Sequence, residues 1–394
     1  MTRLPPVPWT ARADLAELVA ALGPGNLRWV GGAVRDTLLG QPVKDVDAAT
    51  PLLPEEVQHR LAATGLRSVP TGIAHGTITA VLAEGPVEVT TLRRDVATDG
   101  RHATVAFATE WRDDAARRDF TINALYADPV TLEISDYFGG LADLADRRVR
   151  FIGDPAERIR EDHLRILRYY RFQARFGAEL DPAAEAACAE LAPTLKGLSR
   201  ERVAAELLNL LGLSDPASTV ARMDKAGVLP IALPERTPDG ISLLSQVIAW
   251  EQAHAIAPDP LRRLAALLPA DVRLADGAAA RLRLSTAQRK RLSKAAGRGG
   301  DDAMDARALA YRLGMAEALD QMALTGGDPA PIVGWTVPAF PLKGGAIIAR
   351  GIQAGPDVAR ILRMAEDRWV AEGFPDAGRA TQLLEASIAD AKIA

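Results

Sequence analysis

Two aspartates one residue apart, Asp45 and Asp47, stand a short way downstream of a glycine pair, Gly31-Gly32. In a β-strand, residues i and i+2 project from the same face. Asp45 and Asp47 are therefore expected to point together, with Val46 turned into the core behind them. Convergent carboxylates on a strand suit a hard divalent cation such as Mg²⁺. The glycine pair lets backbone N–H groups come close to a phosphate. The combination points to phosphoryl or nucleotidyl transfer by a two-metal route. A lone Asp-x-Asp also occurs on solvated strand edges and turns, so its meaning depends on what accompanies it.

The elements that must position these groups are legible as a mixed α/β pattern over residues 27–138. Leu27 to Val30 reads as a strand into the glycine turn, Ala33 to Leu39 as a helix, and Val43 to Ala48 as the carboxylate strand. Pro54 to Ala63 reads as a helix with proline in its first turn. Thr77 to Leu82 and Val87 to Leu92 read as paired strands around Glu84-Gly85-Pro86. Arg93 to Asp114 is polar and reads as a mobile loop with a short strand near Val105 to Phe107. From Gly139 onward the chain is almost entirely helical in pattern, with 3.6-residue periodicity over Glu157 to Phe176 and Ser199 to Leu213. Asp181 to Leu191 is a further helix, and Ser199 is placed to cap the next one.

Three more segments follow the first in order: Arg117-Arg118-Asp119-Phe120-Thr121-Ile122-Asn123-Ala124-Leu125, Asp136-Tyr137-Phe138-Gly139-Gly140, and Glu161-Asp162-His163-Leu164-Arg165-Ile166-Leu167-Arg168-Tyr169-Tyr170-Arg171-Phe172. Together the four resemble the head and neck motifs of the class II tRNA nucleotidyltransferases, the CCA-adding enzymes, and of their sister bacterial poly(A) polymerases. The resemblance spans roughly residues 27 to 210 and is weak beyond. It implies a polymerase-β-like α/β nucleotidyltransferase head over residues 1–138, a helical neck over 139–213 that selects the base, and an all-α body and tail over 214–394 that binds tRNA. It implies template-independent addition of CCA to tRNA from CTP and ATP, with Mg²⁺ held by Asp45 and Asp47.

The resemblance also assigns nucleotide contacts to Gly32, Arg35, Arg118, Asp162, Arg165, Arg168 and Arg171. Superfamily members often add a third metal-binding carboxylate, for which Glu88 is the candidate; the alternative is that Glu88 only orients Lys44 or Arg93. Arg118 alternatively forms an ion pair with Asp119. Asp162 and Arg165, three apart on one helix face, offer an acceptor beside donors, which matches the amino group and ring nitrogen shared by cytosine and adenine. Ordinary intrahelical pairs are the alternative there. Tyr169-Tyr170 depart from the small or apolar residues usual in the family and are expected to alter packing against the base. Around Arg101, the stretch Thr98 to Ala103 resembles the flexible loop of enzymes able to add the terminal adenosine. A poly(A) polymerase or A-adding enzyme of the same family is the first rival reading. A catalytically silent RNA-binding protein is the rival from another class, and the Asp45/Asp47 pair speaks against it.

Composition sets the outer bounds. The 394 residues are 48% hydrophobic and 25% charged, enough for two or more globular domains. The single cysteine, Cys188, excludes an intramolecular disulfide and fits a reducing cytoplasm. The start, broken by prolines and carrying Asp14 and Glu17, does not read as a signal peptide, and no run is long enough to span a membrane. The net charge of −4 does not exclude nucleic acid, because local charge matters more than the sum. Two basic runs, Arg158 to Arg175 and Arg281 to Arg298, are expected to face RNA.

Overall fold

The computed structural model describes residues 2–99, 102–298 and 305–393. The chain divides into two units, Met1–Pro234 and Glu235–Ala394. The boundaries expected near 138 and 213 fall inside the first.

The first unit is built on a seven-stranded sheet. Its strands are β1 (Arg28–Val30), β2 (Asp47–Thr50), β3 (Arg67–Gly72), β4 (Thr77–Leu82) and β5 (Gly85–Thr91). β6 (Arg93–Asp99) and β7 (His102–Phe107) form a separate two-stranded ribbon, and β8 (Leu125–Ala127) and β9 (Ile134–Asp136) rejoin the sheet. The order across it is β3-β4-β5-β2-β1-β8-β9. β2 and β5 run parallel, and the remaining neighbours are antiparallel. On β4 and β5, Ile78, Ala80, Leu82, Val87 and Val89 are buried and their intervening neighbours are not. That alternation buries one face under the helices α1 (Ala13–Leu22) and α3 (Pro54–Ala63), between which α2 (Gly32–Leu38) follows β1.

Helices complete the unit: α4 (Trp111–Ala116), α5 (Gly140–Ala145), α6 (Pro155–Glu161), α7 (Arg165–Phe176), α8 (Pro182–Leu191), α9 (Arg200–Leu211), α10 (Ala217–Lys225) and α11 (Val228–Ala232). Asp154 and Asp181 cap α6 and α8 through their carboxylates, each with proline in the first turn. Ser199 precedes α9, but its hydroxyl makes no capping bond, contrary to expectation.

Three sequence readings change. The carboxylate strand starts at Asp47, so Asp45 lies in the segment leading into it. The stretch expected as a loop after Leu92 is the β6–β7 ribbon, with Asp99 paired to His102. The single helix expected over Glu157 to Phe176 is two helices, broken at Asp162. β3, β8 and β9 had no counterpart in the sequence reading.

Among its described residues the second unit has helices and no strand: α12 (Gly240–Ala253), α13 (Pro260–Leu267), α14 (Val272–Arg281), α15 (Thr286–Ala296), α16 (Ala306–Leu313), α17 (Met315–Thr325), α18 (Gly344–Ile348), α19 (Pro356–Ala371) and α20 (Ala377–Ile393). Its α12, α13, α15 and α17 share a buried charge network. Glu251 accepts from Arg262 and Arg263, and Asp320 from Arg262 and Arg291. Arg291 also reaches Asp259 at 2.7 Å. Arg289 pairs with Asp276, and Lys294 with Glu317 at 3.1 Å. The basic run expected to face RNA therefore has much of its charge matched within its own unit. No helix among the described residues is long and apolar enough to cross a membrane.

Candidate active site

The sheet sets two carboxylates side by side on neighbouring strands. Val30 on β1 pairs with Asp47 on β2, and Asp47 pairs with Glu88 on β5. Val46, at 5% exposure, turns into the core, while Asp45 on its other side is exposed. The alternation inferred from the sequence thus holds, although only Asp47 is within the strand. Burial pushes the Asp47 carboxyl above its usual range, and the charges of Glu88 and Asp45 push the same way, against Arg118. Among the described residues, no three Asp, Glu, His or Cys side chains close into a metal cage. A divalent cation bound together with substrate phosphates needs only one or two protein carboxylates, with phosphate and water oxygens completing its shell. A carboxylate destabilised by two like-charged neighbours is a fitting place for such a cation.

The turn after β1 is where glycine is required. Gly31 has φ of 70°, a conformation that side-chain-bearing residues seldom adopt. A Cβ on Gly31 would lie 3.6 Å from Nη1 of Arg118, so this guanidinium sits against the turn. Arg118 is held from behind. Its Nε donates to the Tyr126 hydroxyl at 3.0 Å and its Nη2 to Asp114 at 3.1 Å. Tyr126 also donates to Asp114 at 2.7 Å, and Arg117 donates to its other oxygen at 2.8 Å. Burial alone would raise the Asp114 carboxyl. The charges of Arg118 and Arg117 and these hydrogen bonds outweigh burial and hold it down at about 2. Burial pushes the Tyr126 phenol up, so it remains a donor at neutral pH.

Asp119 is not the partner of Arg118. It accepts from Nε and Nη2 of Arg168 at 2.8 and 2.6 Å, from Asn123 Nδ2 at 2.9 Å, and from the Phe120 amide at 2.8 Å. Arg35 is 5% exposed. Its guanidinium donates to Asp36 and Asn123 and packs 4.5 Å from the ring centre of Phe176. The structure thus makes Arg35, to which the resemblance assigns a nucleotide contact, a buried link between α2 and α7. Burial lowers its pKa, and the neighbouring Asp36 opposes that.

The break between α6 and α7 alters the expected base-reading pair. Asp162 has extended dihedrals, φ −148° and ψ 104°, so Asp162 and Arg165 do not share one helical face. The cause is local competition. The Asp162 carboxylate accepts from the Leu164 amide at 3.1 Å, a bond available only outside the helix. Its other oxygen accepts from Arg202 on α9 at 2.6 Å. The two residues remain adjacent, since the Arg165 amide donates to the Asp162 carbonyl at 2.9 Å. The Arg165 side chain pairs with Glu161 and reaches the carbonyls of Arg158 and Arg117. Arg171 donates to Glu206 at 2.6 Å, and Arg168 stands 3.6 Å from the same carboxylate.

The arginines of α7 are thus held by acids from several segments. Tyr169 and Tyr170 are fully buried, with Tyr169 stacked on Phe151, so both pack inside the first unit. Arg101 lies outside the described residues.

Sequence reasoning missed Asp114, Tyr126, Glu206 and Arg202. Asp114 stands four residues before Arg118, a helical pairing distance that could have revealed it. Glu206 and Arg202 reach their partners from 35 and 40 residues away, with no local signal.

The family described as "Poly A polymerase head domain" matches residues 27–150, and "Probable RNA and SrmB- binding site of polymerase A" matches residues 177–239. The zebrafish (Danio rerio) "CCA tRNA nucleotidyltransferase 1, mitochondrial" is 37% identical over 370 residues, covering 87% of this chain and 83% of that protein. The chain belongs to the family of CCA-adding tRNA nucleotidyltransferases and poly(A) polymerases. Another member, the Enterococcus faecalis "CCA-adding enzyme", is 40% identical over 185 residues, 46% of this chain and 44% of that protein. The crystal structure of the Bacillus stearothermophilus CCA-adding enzyme in complex with CTP superposes with a TM-score of 0.75 at 27% identity, covering 97% of this chain and 98% of that one. Members of this nucleotidyltransferase family typically work with a metal ion.

Proposed function

We propose that this protein adds cytidines and adenosine to the 3′ end of tRNA, using CTP and ATP and releasing pyrophosphate. The observation that carries this reading is the Asp47–Glu88 register beside Asp45, with Arg118 braced against the Gly31 turn. Full-length similarity to CCA tRNA nucleotidyltransferases supports the choice of acceptor.

The negative charge of the reacting phosphates is the obstacle to this chemistry. Mg²⁺ bound by Asp45 and Asp47, with Glu88 as a third carboxylate, would neutralise charge on the attacking oxygen and the leaving group. Gly32 permits close approach of the triphosphate, and Arg118 donates to it from a fixed position. Fixing comes from Asp114 and Tyr126, so little reorganisation is needed as charge develops. Asp162 and Arg165 read the amino group and ring nitrogen that cytosine and adenine share. UTP and GTP present a carbonyl at the amino position and leave the Asp162 carboxylate facing an acceptor. Arg202 aims that carboxylate. Arg35, Arg168 and Arg171 are each anchored to a carboxylate or amide partner, and Arg171, held through Nε, keeps its terminal N–H groups for the nucleotide.

In domain terms, residues 1–138 form the head, 139–213 the neck, and 214–394 the body and tail that bind tRNA. The proposed compartment is the cytoplasm, supported by a single, buried cysteine; cell fractionation tests it against the mitochondrial location in the zebrafish relative's name.

Incubation with Mg²⁺, each labelled nucleoside triphosphate in turn, and tRNA lacking its 3′ end tests the reading. Two cytidines followed by one adenosine are expected. Long adenosine tails would instead make the protein a poly(A) polymerase, and no incorporation at all would leave only RNA binding.

A further inference from the structure

Tyr169 and Tyr170 carry two phenol hydroxyls to the junction of α7 with α8 and α10. The buried residues of α8 include Ala184, Ala187 and Cys188, small side chains that leave room for two rings. The rings are pinned. Tyr169 stacks on Phe151 with centres 5.7 Å apart, and Tyr170 meets Tyr169 edge-on at 5.4 Å. Both residues are 0% exposed, so neither hydroxyl can swing out to bulk solvent. Among the described residues, neither hydroxyl has a hydrogen-bond partner.

Two charged side chains complete the set. Glu185 of α8 faces both phenols, and its charge adds to burial in pushing them up, so each remains an O–H donor at neutral pH. Its Oε1 is itself buried and without a hydrogen bond among the described residues. Arg222 of α10 stands beside it, with Nε 3.9 Å from that oxygen. Nε and Nη2 of Arg222 are likewise buried and unbonded among the described residues. The charges are matched across this junction, but the hydrogen bonds are not closed. A buried polar group left without a partner bears its full desolvation cost, and native interiors keep few of them.

Water fits the inventory. The donors are four: the two phenol O–H groups and the two Arg222 N–H groups. The acceptor is one carboxylate oxygen with two lone pairs. One water accepts two hydrogen bonds, so two waters take all four donors. Each can then donate one O–H to Glu185, which uses both lone pairs. Three bonds per molecule is ordinary for buried water. With hydrogen bonds of about 2.8 Å, a water standing beside the Glu185–Arg222 line reaches both groups. The side chains of Arg222 and Glu185 are 29% and 22% exposed, which gives the junction a path to solvent.

We propose that α7 is joined to α8 and α10 through a pair of ordered waters held by Tyr169, Tyr170, Glu185 and Arg222. This gives the two tyrosines a role that phenylalanine could not fill. Elsewhere on α7 the hold is direct, through the ion pairs of Arg168 with Asp119 and of Arg171 with Glu206. Two measurements on the full chain test the proposal. A crystal structure fine enough to show ordered water should place density within about 3.2 Å of a phenol oxygen and of Glu185 Oε1. Tyr169→Phe and Tyr170→Phe keep the ring and remove the hydroxyl. Each should melt about 2–4 °C below wild type, the size of one net hydrogen bond in a unit of this length. Direct bonds from Glu185 to the phenols or Arg222, with no water density at the junction, overturn the proposal. Phenylalanine variants that melt at or above wild type also overturn it, since hydroxyls without partners are better removed.

Discussion

Asp114→Asn removes a carboxylate that Arg117, Arg118 and Tyr126 share while nearly conserving its volume. The side chain of Asp114 is 1% exposed, so solvent cannot replace the lost charge. Its carboxyl is held at about 2 against an ordinary 3.8. A depression of that size contributes roughly 2 kcal/mol of stability at neutral pH. The sign follows from the lower folded value. The contribution is complete above the unfolded value of 3.8, falls to about half near pH 3, and disappears as pH drops through 2. The asparagine variant also leaves Arg118 without its anion, and breaking a buried pair costs about 3 kcal/mol or more. Arg118 keeps some solvent access, with its side chain 20% exposed, which favours the low end. The expected loss is therefore about 3 kcal/mol at pH 7, read by urea denaturation. The gap to wild type should narrow between pH 4 and pH 3. Because Arg118 loses its brace, kcat/KM for CTP should fall about tenfold or more in the folded variant, equivalent to about 1.4 kcal/mol. A variant as stable as wild type at pH 7, or a gap indifferent to acid, would refute the assignment of Asp114 as the anchor of Arg118.

Asp45→Ala or Asp47→Ala should abolish CMP and AMP incorporation while tRNA binding, followed by gel shift, survives; turnover in Mg²⁺ above about one per cent of wild type contradicts a metal-holding role. Asp162→Ala should relax the exclusion of UTP and GTP more than it weakens triphosphate binding, and Arg202→Ala should do the same more mildly; unchanged incorporation ratios in both would remove Asp162 from base selection. Trimming the β6–β7 ribbon around Asp99 to Ala103 should leave two cytidines added and the adenosine step slowed, seen by sequencing product ends. Equal loss at all three steps would mean the ribbon supports the head generally.

The parts of this site readable from the sequence are those set by short-range geometry. Asp45-Val46-Asp47 alternates because an extended chain alternates, and Val46 alone carries the burial that orients the pair. The glycine pair was legible because a positive φ at Gly31 suits little else. β8 and β9 have three residues each, too few to establish a period. The β6–β7 ribbon was read as a loop from its polarity, although Asp99-Gly100 carries a hairpin signal. The break at Asp162 was hidden because buried Ile159 and Ile166 lie seven residues apart and keep helical spacing across it. Long-range pairing decided the rest. Arg168 finds Asp119, and Arg171 finds Glu206, only once the neck has folded against its neighbours.

The parallel pairing of β2 with β5 also bears on when the site comes into being. Parallel neighbours cannot be joined by a tight turn. Here α3, β3 and β4 all intervene in the chain between Asp47 and Glu88. The loop must close before the two carboxylates meet, and such distant pairings form late and slowly. A head whose central strands have not yet paired carries Asp47 and Glu88 and yet has no assembled centre. Nucleotide consumption is thereby tied to completion of the fold, and a misfolded copy is silent instead of merely imprecise.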